Sequence, residues 1–433
     1  MPFDNAHLLR PRIAVIGGGI SGLSAAWGLS RFSDVTLYES EPRFGGHART
    51  VTAGLRGDQP VDTGFIVFNY ATYPLLTRLF ADLDVPVQKS DMSFGVTVEN
   101  GRLEYALTSL RALFAQKRNA ADPRFWSMLR DIGRFNARAE AVATSDDMNI
   151  SELISRLRLG SWFGRYYLQP LCGAIWSTPA ERIGVFPART LIRFLRNHAL
   201  MGVYGQHQWW TVAGGSVSYV NRLVRALEDR RVTLRAGTPV GAVQREAGRV
   251  RIKAAGGPEE VFDHVVFATH PDQALRMIAT PTEKEQRYLS AIQFQDNHAY
   301  LHRDPRQMPV RRSCWSSWVY QKDHGHENSG IGVTYWMNRL QNIPEDDPLF
   351  LTLNPAKSIA EEAIYDQTVF RHPVFDRDAL RAQQEIAALQ GNRNTWFTGA
   401  WTRHGFHEDG IASAASVTDM LAEMHSRGIE AAA

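Results

Sequence analysis

Cysteine is almost missing from this chain. Cys172 and Cys314 are the only two in 433 residues, and their separation excludes a CxxC redox pair or a zinc knuckle. The scarcity points to a reducing cytoplasm. Lysine is also rare: Lys89, Lys117, Lys253, Lys284, Lys322 and Lys357 are the full set, and arginine supplies the remaining positive charge. The formal net charge is only +3, so charge gives no argument for nucleic acid as a partner. Long apolar runs are absent too. The uncharged stretch 13–30 is broken by glycine and serine, and it falls short of the roughly 20 apolar residues that a membrane span needs. The first ten residues, MPFDNAHLLR, lack the layout of a secretory leader.

Hydrophobic residues make up 44% and charged residues 21%, which is ordinary for a globular protein. The length exceeds what one core usually organises, so two domains are expected.

The most informative segment lies near the N-terminus. RIAVIG reads as a short buried strand, GGGISG as a turn, LSAAWGLS as a helix and DVTLYE as a second strand. This is the context that a GxGxxG match requires. Gly17 permits the tight turn, Gly19 lets backbone approach a pyrophosphate, and Gly22 lets the helix sit close to the strand. Gly18, Ile20 and Ser21 fill the same turn and open the helix, whose N-terminus offers free N–H groups and a positive dipole end to phosphate. Glu39 ends the second strand, followed by Ser40. A carboxylate there accepts ribose hydroxyls and repels a 2′-phosphate, which argues against NADP. A second basic, glycine-rich loop follows, with Arg43, Gly45, Gly46 and His47. It suits a further length of phosphate. Then comes VDTGF, which holds Asp62, Thr63, Gly64 and Phe65.

On these motifs the sequence resembles the flavin amine oxidase superfamily, which includes carotenoid desaturases and protoporphyrinogen oxidases. The resemblance implies an α/β protein: a Rossmann-like FAD-binding domain of the amine oxidase (glutathione-reductase-like) type with an α+β substrate domain. His47 stands where the family usually has a second arginine. The resemblance places Val240 by the adenine and brings the strand DHVVFATH, residues 263–270, to the cofactor. It also aims the helix of GFHEDGIASAAS at the flavin pyrimidine ring, with Gly399, Asp409, Gly410 and Ile411 as the carried-over positions. No cysteine is placed for covalent attachment, so FAD is expected to be held non-covalently. The implied FAD-binding domain is 1–69, 212–285 and 391–433, and the implied substrate domain is 70–211 and 286–390. His404 and His407 have no accompanying ligand cluster, so no metal is expected.

Longer strings, among them VDTGFIVFNYATYPLL, WWTVAGGSVSYV, VTYWMNRLQNI and GAWTRHGFHEDGIAS, are similar to a narrower bacterial group. Its members are encoded near cyclopropane-fatty-acid-synthase-like methyltransferases, and one branch is associated with furan fatty acid biosynthesis. That resemblance implies desaturation of a methyl-branched unsaturated fatty acyl chain, free or in phospholipid, to a conjugated diene. Hydride would go to flavin N5, and O2, or else a quinone, would reoxidise the flavin, since no second GxGxxG provides for NADPH.

Trp162, Tyr166, Tyr167, Trp176, Tyr204, Trp209, Trp210, Trp315, Trp318, Tyr320, Tyr335 and Trp336 crowd the middle of the chain. They could line an acyl tunnel or simply fill a core. Seven basic residues, Arg111, Lys117, Arg118, Arg124, Arg130, Arg134 and Arg138, fall among apolar ones in the stretch 107–138. Such a stretch is either a solvated helix face or one that rests on the anionic inner membrane surface. His407 and Tyr335 are the candidate catalytic groups; Lys322 is a weaker one. An amine or amino acid oxidase is one alternative function, and a flavin-free lipid-binding escort protein is another.

Overall fold

The structure is a computed structural model. It describes residues 10–145, 147–176, 183–197, 200–201, 207–246, 248–322 and 332–432. Tyr204 and the side chain of Trp176 lie outside the described residues.

A five-stranded parallel sheet anchors the fold. Its order is β10 (Thr233–Arg235), β2 (Asp34–Tyr38), β1 (Arg12–Ile16), β14 (His264–Phe267) and β20 (Thr395–Phe397). The strands are nearly continuous apolar runs, as burial on both faces demands. Period-2 alternation divides their side chains. Ile13, Val15, Val35, Leu37 and Val266 pack with the helices α1 (Ile20–Leu29) and α9 (His407–Ala432). Ala14, Ile16, Tyr38, Val265 and Phe267 face the opposite way into a separate core. That second core is closed by an antiparallel meander of β11 (Val240–Glu246), β12 (Arg249–Ala254) and β13 (Glu259–Phe262). Each fully buried aliphatic side chain here contributes roughly 1.5–3 kcal/mol.

The uncharged run 13–30 is therefore strand, turn and helix. Among the described residues, no helix is long and apolar enough to cross a membrane.

A seven-stranded sheet forms the second body. Its order is β19 (Ile364–Pro373), β15 (Phe294–His302), β18 (Phe350–Leu353), β17 (Gly332–Trp336), β16 (Trp318–Lys322), β7 (Phe94–Val98) and β8 (Leu103–Ala106). All its pairings are antiparallel except β16 with β7. The hairpin β3 (Thr50–Ala53) and β4 (Gln59–Asp62), and the small sheet of β5 (Val67–Asn69), β9 (Trp209–Val212) and β6 (Val87–Ser90), complete the β-structure. Helix α2 (Pro74–Asp82) follows β5, and α8 (Val217–Asp229) follows β9.

The basic stretch 107–138 is not one helix. It forms α3 (Leu110–Leu113), α4 (Lys117–Ala121) and the start of α5 (Pro123–Val142). Asp122 breaks it by capping α5, accepting the Arg124 N–H at 2.9 Å, with Pro123 at the first helical position. The apolar face of α5 turns inward, with Phe125, Met128 and Phe135 buried against α6 (Ile150–Arg156) and α7 (Ala188–Asn197).

Candidate flavin site

The crevice lies where β1 and β14 end side by side. Gly17 N–H donates to Tyr38 O at 2.8 Å, and Ala268 N–H donates to Ile16 O at 2.8 Å, so both turns leave the sheet at one level. A Cβ on Gly22 would lie 1.8 Å from the Gly17 carbonyl oxygen; only glycine lets α1 start this close to the turn. Gly19 caps α1 with no side-chain acceptor, and the first turn carries no acid. Its N–H groups, including those of Ile20 and Ser21, are thus left for a ligand. The loop of Gly45 and Gly46 lies against this turn, with Gly45 N–H donating to Gly18 O at 2.8 Å.

Glu39 sits beside the turn. It accepts Gly18 N–H at 2.6 Å on one oxygen, and Glu41 N–H at 2.8 Å and the exposed Ser40 hydroxyl at 3.0 Å on the other. The β10–β11 turn closes on the same place, because Thr238 N–H donates to Glu39 O at 2.7 Å. Val240 follows, half-buried. Arg43 braces its own loop, donating to Gly46 O at 3.0 Å and Ala48 O at 3.3 Å.

Helix α9 brings a second N-terminus to the crevice. A Cβ on Gly410 would lie 2.8 Å from Ser21 Oγ and 2.9 Å from Ile20 Cγ2, so the starts of α9 and α1 touch. Two positive dipole ends therefore converge. Gly399 N–H donates to Ser413 Oγ at 3.2 Å, and Ile411 is buried in the core. Asp409 accepts the Phe406 N–H at 2.9 Å and so caps the helix rather than facing outward. Burial raises its carboxyl above the usual range.

Asp62 is tied into the protein beneath the crevice. This side chain is fully buried, and protein groups take up its carboxylate. It accepts from Thr50 Oγ1 at 2.6 Å, Ser216 N–H at 2.8 Å, Ser216 Oγ at 2.7 Å and Gln341 Nε2 at 3.0 Å. Burial pushes it up to about 6 despite these donors. Its contribution is to hold the turn of Thr63, Gly64 and Phe65. Phe65 N–H donates to His47 O at 2.9 Å, and Thr63 is bound by Arg49.

Four histidines border the crevice. His47 stands edge-on to His270 at 6.1 Å, to His372 at 5.6 Å and to Phe370 at 5.0 Å. His270 stacks on Phe294 at 4.0 Å, and its Nδ1 is buried without a partner. His372 Nδ1 accepts from Asn297 Nδ2 at 2.8 Å, while Asn297 Oδ1 accepts from Asn354 at 2.7 Å. That chain assigns the His372 proton to Nε2. His407 stacks on Phe65 at 3.9 Å, and its Nε2 is 2.6 Å from the Tyr219 hydroxyl. Burial lowers His47 to about 4 and His270, His372 and His407 to about 3, with neighbouring positive charge adding to it. All four residues are half-buried.

Above them lies one face of the seven-stranded sheet. Register puts Phe370, Asn297, Ala299, Leu301, Leu351, Val333, Tyr335, Trp318 and Phe94 on that face. Asp366 shares it, held by both guanidinium nitrogens of Arg49 at 2.6 and 3.0 Å. Tyr335 is buried edge-on to Trp318 at 4.9 Å, and burial holds its phenol well above its ordinary value. Among the described residues, no bond or ring contact joins Tyr335 to His407.

The aromatic set does not act as one lining. Trp315 and Trp336 lie on the opposite sheet face with Met308, Val319 and Phe350, stacked with Arg312. Lys322 ends β16 exposed and plays no part in the crevice. Among the described residues, no group of three or more histidine, cysteine, aspartate or glutamate side chains is placed to hold a metal.

Sequence reasoning passed over His372, Tyr219 and Glu408. Glu408 accepts the N–H groups of Leu75 and Leu76, both at 2.9 Å, and so fixes α2 to α9. Its acidic position at a helix start was the one available signal.

A glycine turn on a parallel sheet, a ribose-side acid, a β-meander crossover and a converging C-terminal helix define a dinucleotide-binding flavoprotein fold. The chain belongs to the flavin containing amine oxidoreductase family, which matches residues 20–300. Human protoporphyrinogen oxidase is 25% identical over 317 residues, covering 65% of this chain and 64% of that enzyme's length. Hydroxyneurosporene desaturase of Cereibacter sphaeroides is 25% identical over 303 residues, covering 60% of this chain and 56% of that one. The solved CLA-producing fatty acid isomerase from P. acnes shares the fold, with a TM-score of 0.64 at 15% identity over 95% of this chain and 98% of that one.

FAD is the cofactor of the family, and the crevice fits it. The uncapped α1 turn and the Gly45–Gly46 loop suit the pyrophosphate, Glu39 the ribose, and the α9 N-terminus a ring that takes on negative charge.

Proposed function

We propose that this chain is an FAD-dependent oxidoreductase that desaturates an unsaturated, methyl-branched fatty acyl chain to a conjugated diene, with O2 as the electron acceptor. The observation that carries this reading is the wall of the crevice. It is largely aromatic and aliphatic, with Asn297 and Thr368 as polar exceptions, its histidines are neutral, and among the described residues the carboxylate on that sheet face, Asp366, is paired with Arg49. An alkyl chain gains roughly 0.8 kcal/mol per buried CH2 on such a surface. An ammonium ion would lose hydration with no free carboxylate among the described residues of that face to meet it. A desaturase among the relatives is in keeping with this.

When bound, FAD supplies a two-electron, hydride-accepting ring. This chain's residues supply the rest. The sheet face orients the alkyl chain and excludes water. The α9 N-terminus stabilises negative charge at its end of the site. His407, neutral and fixed by Tyr219 and Phe65, presents an imidazole that burial makes a weak proton acceptor, so it serves the site chiefly by hydrogen bonding. Tyr335 stays protonated and offers a hydroxyl from the sheet side.

The test is anaerobic mixing of the FAD-loaded protein with unsaturated membrane lipids and, separately, with amines. Bleaching of the yellow colour by lipid and not by amine is expected. Bleaching by amines alone would establish an amine oxidase instead.

A further inference from the structure

Ala112, Phe125, Met128, Phe135 and Ala139 carry the buried apolar surface of α3–α5, and one corner of that region remains uncovered. Leu107 is 45% exposed, Leu110 76%, Trp126 51% and Val310 75%. Local contacts join Leu110 to Trp126 through Phe114. Leu110 and Phe114 are neighbours on α3, and Phe114 lies 5.3 Å from the Trp126 ring. The turn Arg312–Cys314 packs on α3, with Cys314 Sγ 3.7 Å from Ala112 O, and Val310 lies two residues before that turn, its N–H donating to Glu104 at 2.7 Å. Exposed leucine, valine and tryptophan clustered at one corner are unusual for a solvated surface.

The charge around this corner has one sign. Arg111, Lys117 and Arg118 are exposed and, among the described residues, form no ion pair. The acids nearby are already matched. Asp122 binds Arg124 at 2.8 Å, Glu104 binds Arg311 at 2.8 Å and Glu345 binds Arg312 at 2.7 Å. Asp131 is buried between Arg130 and Arg134. An apolar tip ringed by unmatched cations complements a surface that is anionic at its headgroups and apolar just beneath them.

We infer that the α3–α5 corner docks this protein on an anionic lipid bilayer, with Leu110, Trp126 and Val310 entering the interface and Arg111, Lys117 and Arg118 facing lipid phosphate. The contact is superficial, because no described helix is long and apolar enough to span. The inference rests on surface geometry and charge, and holds whichever molecule the crevice oxidises.

Vesicle co-sedimentation of the FAD-loaded full chain tests it without any turnover. The probes are phosphatidylcholine vesicles with and without phosphatidylglycerol. Binding is expected to require phosphatidylglycerol and to weaken in high salt. The combined change Arg111→Glu, Lys117→Glu, Arg118→Glu should weaken binding about 100-fold, at roughly 1 kcal/mol per cation and tenfold per 1.4 kcal/mol. Leu110→Ser should weaken it with the cations intact. Lys284→Glu with Arg287→Glu, which lowers net charge away from this corner, should bind as the parent does. Retained yellow colour confirms that each variant folds. Binding that ignores phosphatidylglycerol, or that survives the triple change, overturns the inference. So does a corner whose variants alter self-association in sedimentation velocity while leaving vesicle binding unchanged.

Discussion

His47, His270, His372 and His407 are all held neutral by burial, so they act together on stability. Their folded pKa values, about 3 to 4, lie below the ordinary 6.5. Between these values the unfolded chain binds the extra protons. Stability from these groups is thus complete above about pH 6.5 and lost as pH falls toward 4, at roughly 1.4 kcal/mol per pH unit for each proton. Asp62 opposes them: raised from 3.8 to about 6, it contributes stability at low pH that is lost as pH rises through 6. The raised carboxyls of Glu408 and Asp409 act with Asp62, the lowered His302 acts with the four histidines, and the histidines carry the larger shifts. Urea denaturation of the apoprotein at about pH 5 and about pH 7 should show lower stability at pH 5, and His47→Asn with His372→Asn should flatten the difference. Gly410 allows a second test. Alanine would favour the helix itself by up to about 1 kcal/mol, but its Cβ would press on Ser21 and Ile20. Gly410→Ala should therefore weaken FAD binding tenfold or more, about 1.4 kcal/mol, with urea denaturation reporting how far the shift between α9 and α1 also costs apoprotein stability.

Local elements were the most readable part of the sequence. The strand, glycine turn, helix and strand at residues 12–38 carry their periodicity and turn chemistry in consecutive residues, and the structure has them as read. The stretch 107–138 was harder, because its basic residues suggest a single amphipathic face. Pro123 and the capping Asp122 divide it, and its phenylalanines pack inward. Caps supplied by a distant element leave no local trace. Helix α2 has no capping side chain at Tyr73, and Glu408 closes its N-terminus from α9. Glu408→Ala should cost about 1–2 kcal/mol in urea denaturation, as loss of a helix cap does.

Across the whole molecule, topology assembles what the chain scatters. His47 and His372 meet because β19 returns over the glycine loop, and no periodicity could announce that. The same holds for Asp62 and Gln341, which lock the Thr63–Phe65 turn to the second sheet. Asp62→Ala removes four hydrogen bonds to buried groups and should cost about 3 kcal/mol, with weakened flavin binding as the companion readout. The FAD fingerprint was legible because its glycines and Glu39 are local; the apolar sheet face above it becomes visible only through strand register. Every functional statement depends on the crevice between β1, β14 and α9 seating the isoalloxazine-bearing nucleotide. Titration of apoprotein with FAD, followed by calorimetry and visible absorbance, measures that directly. The expected result is one FAD per chain, lost on Gly22→Leu; a folded chain that stays colourless in excess FAD would contradict it.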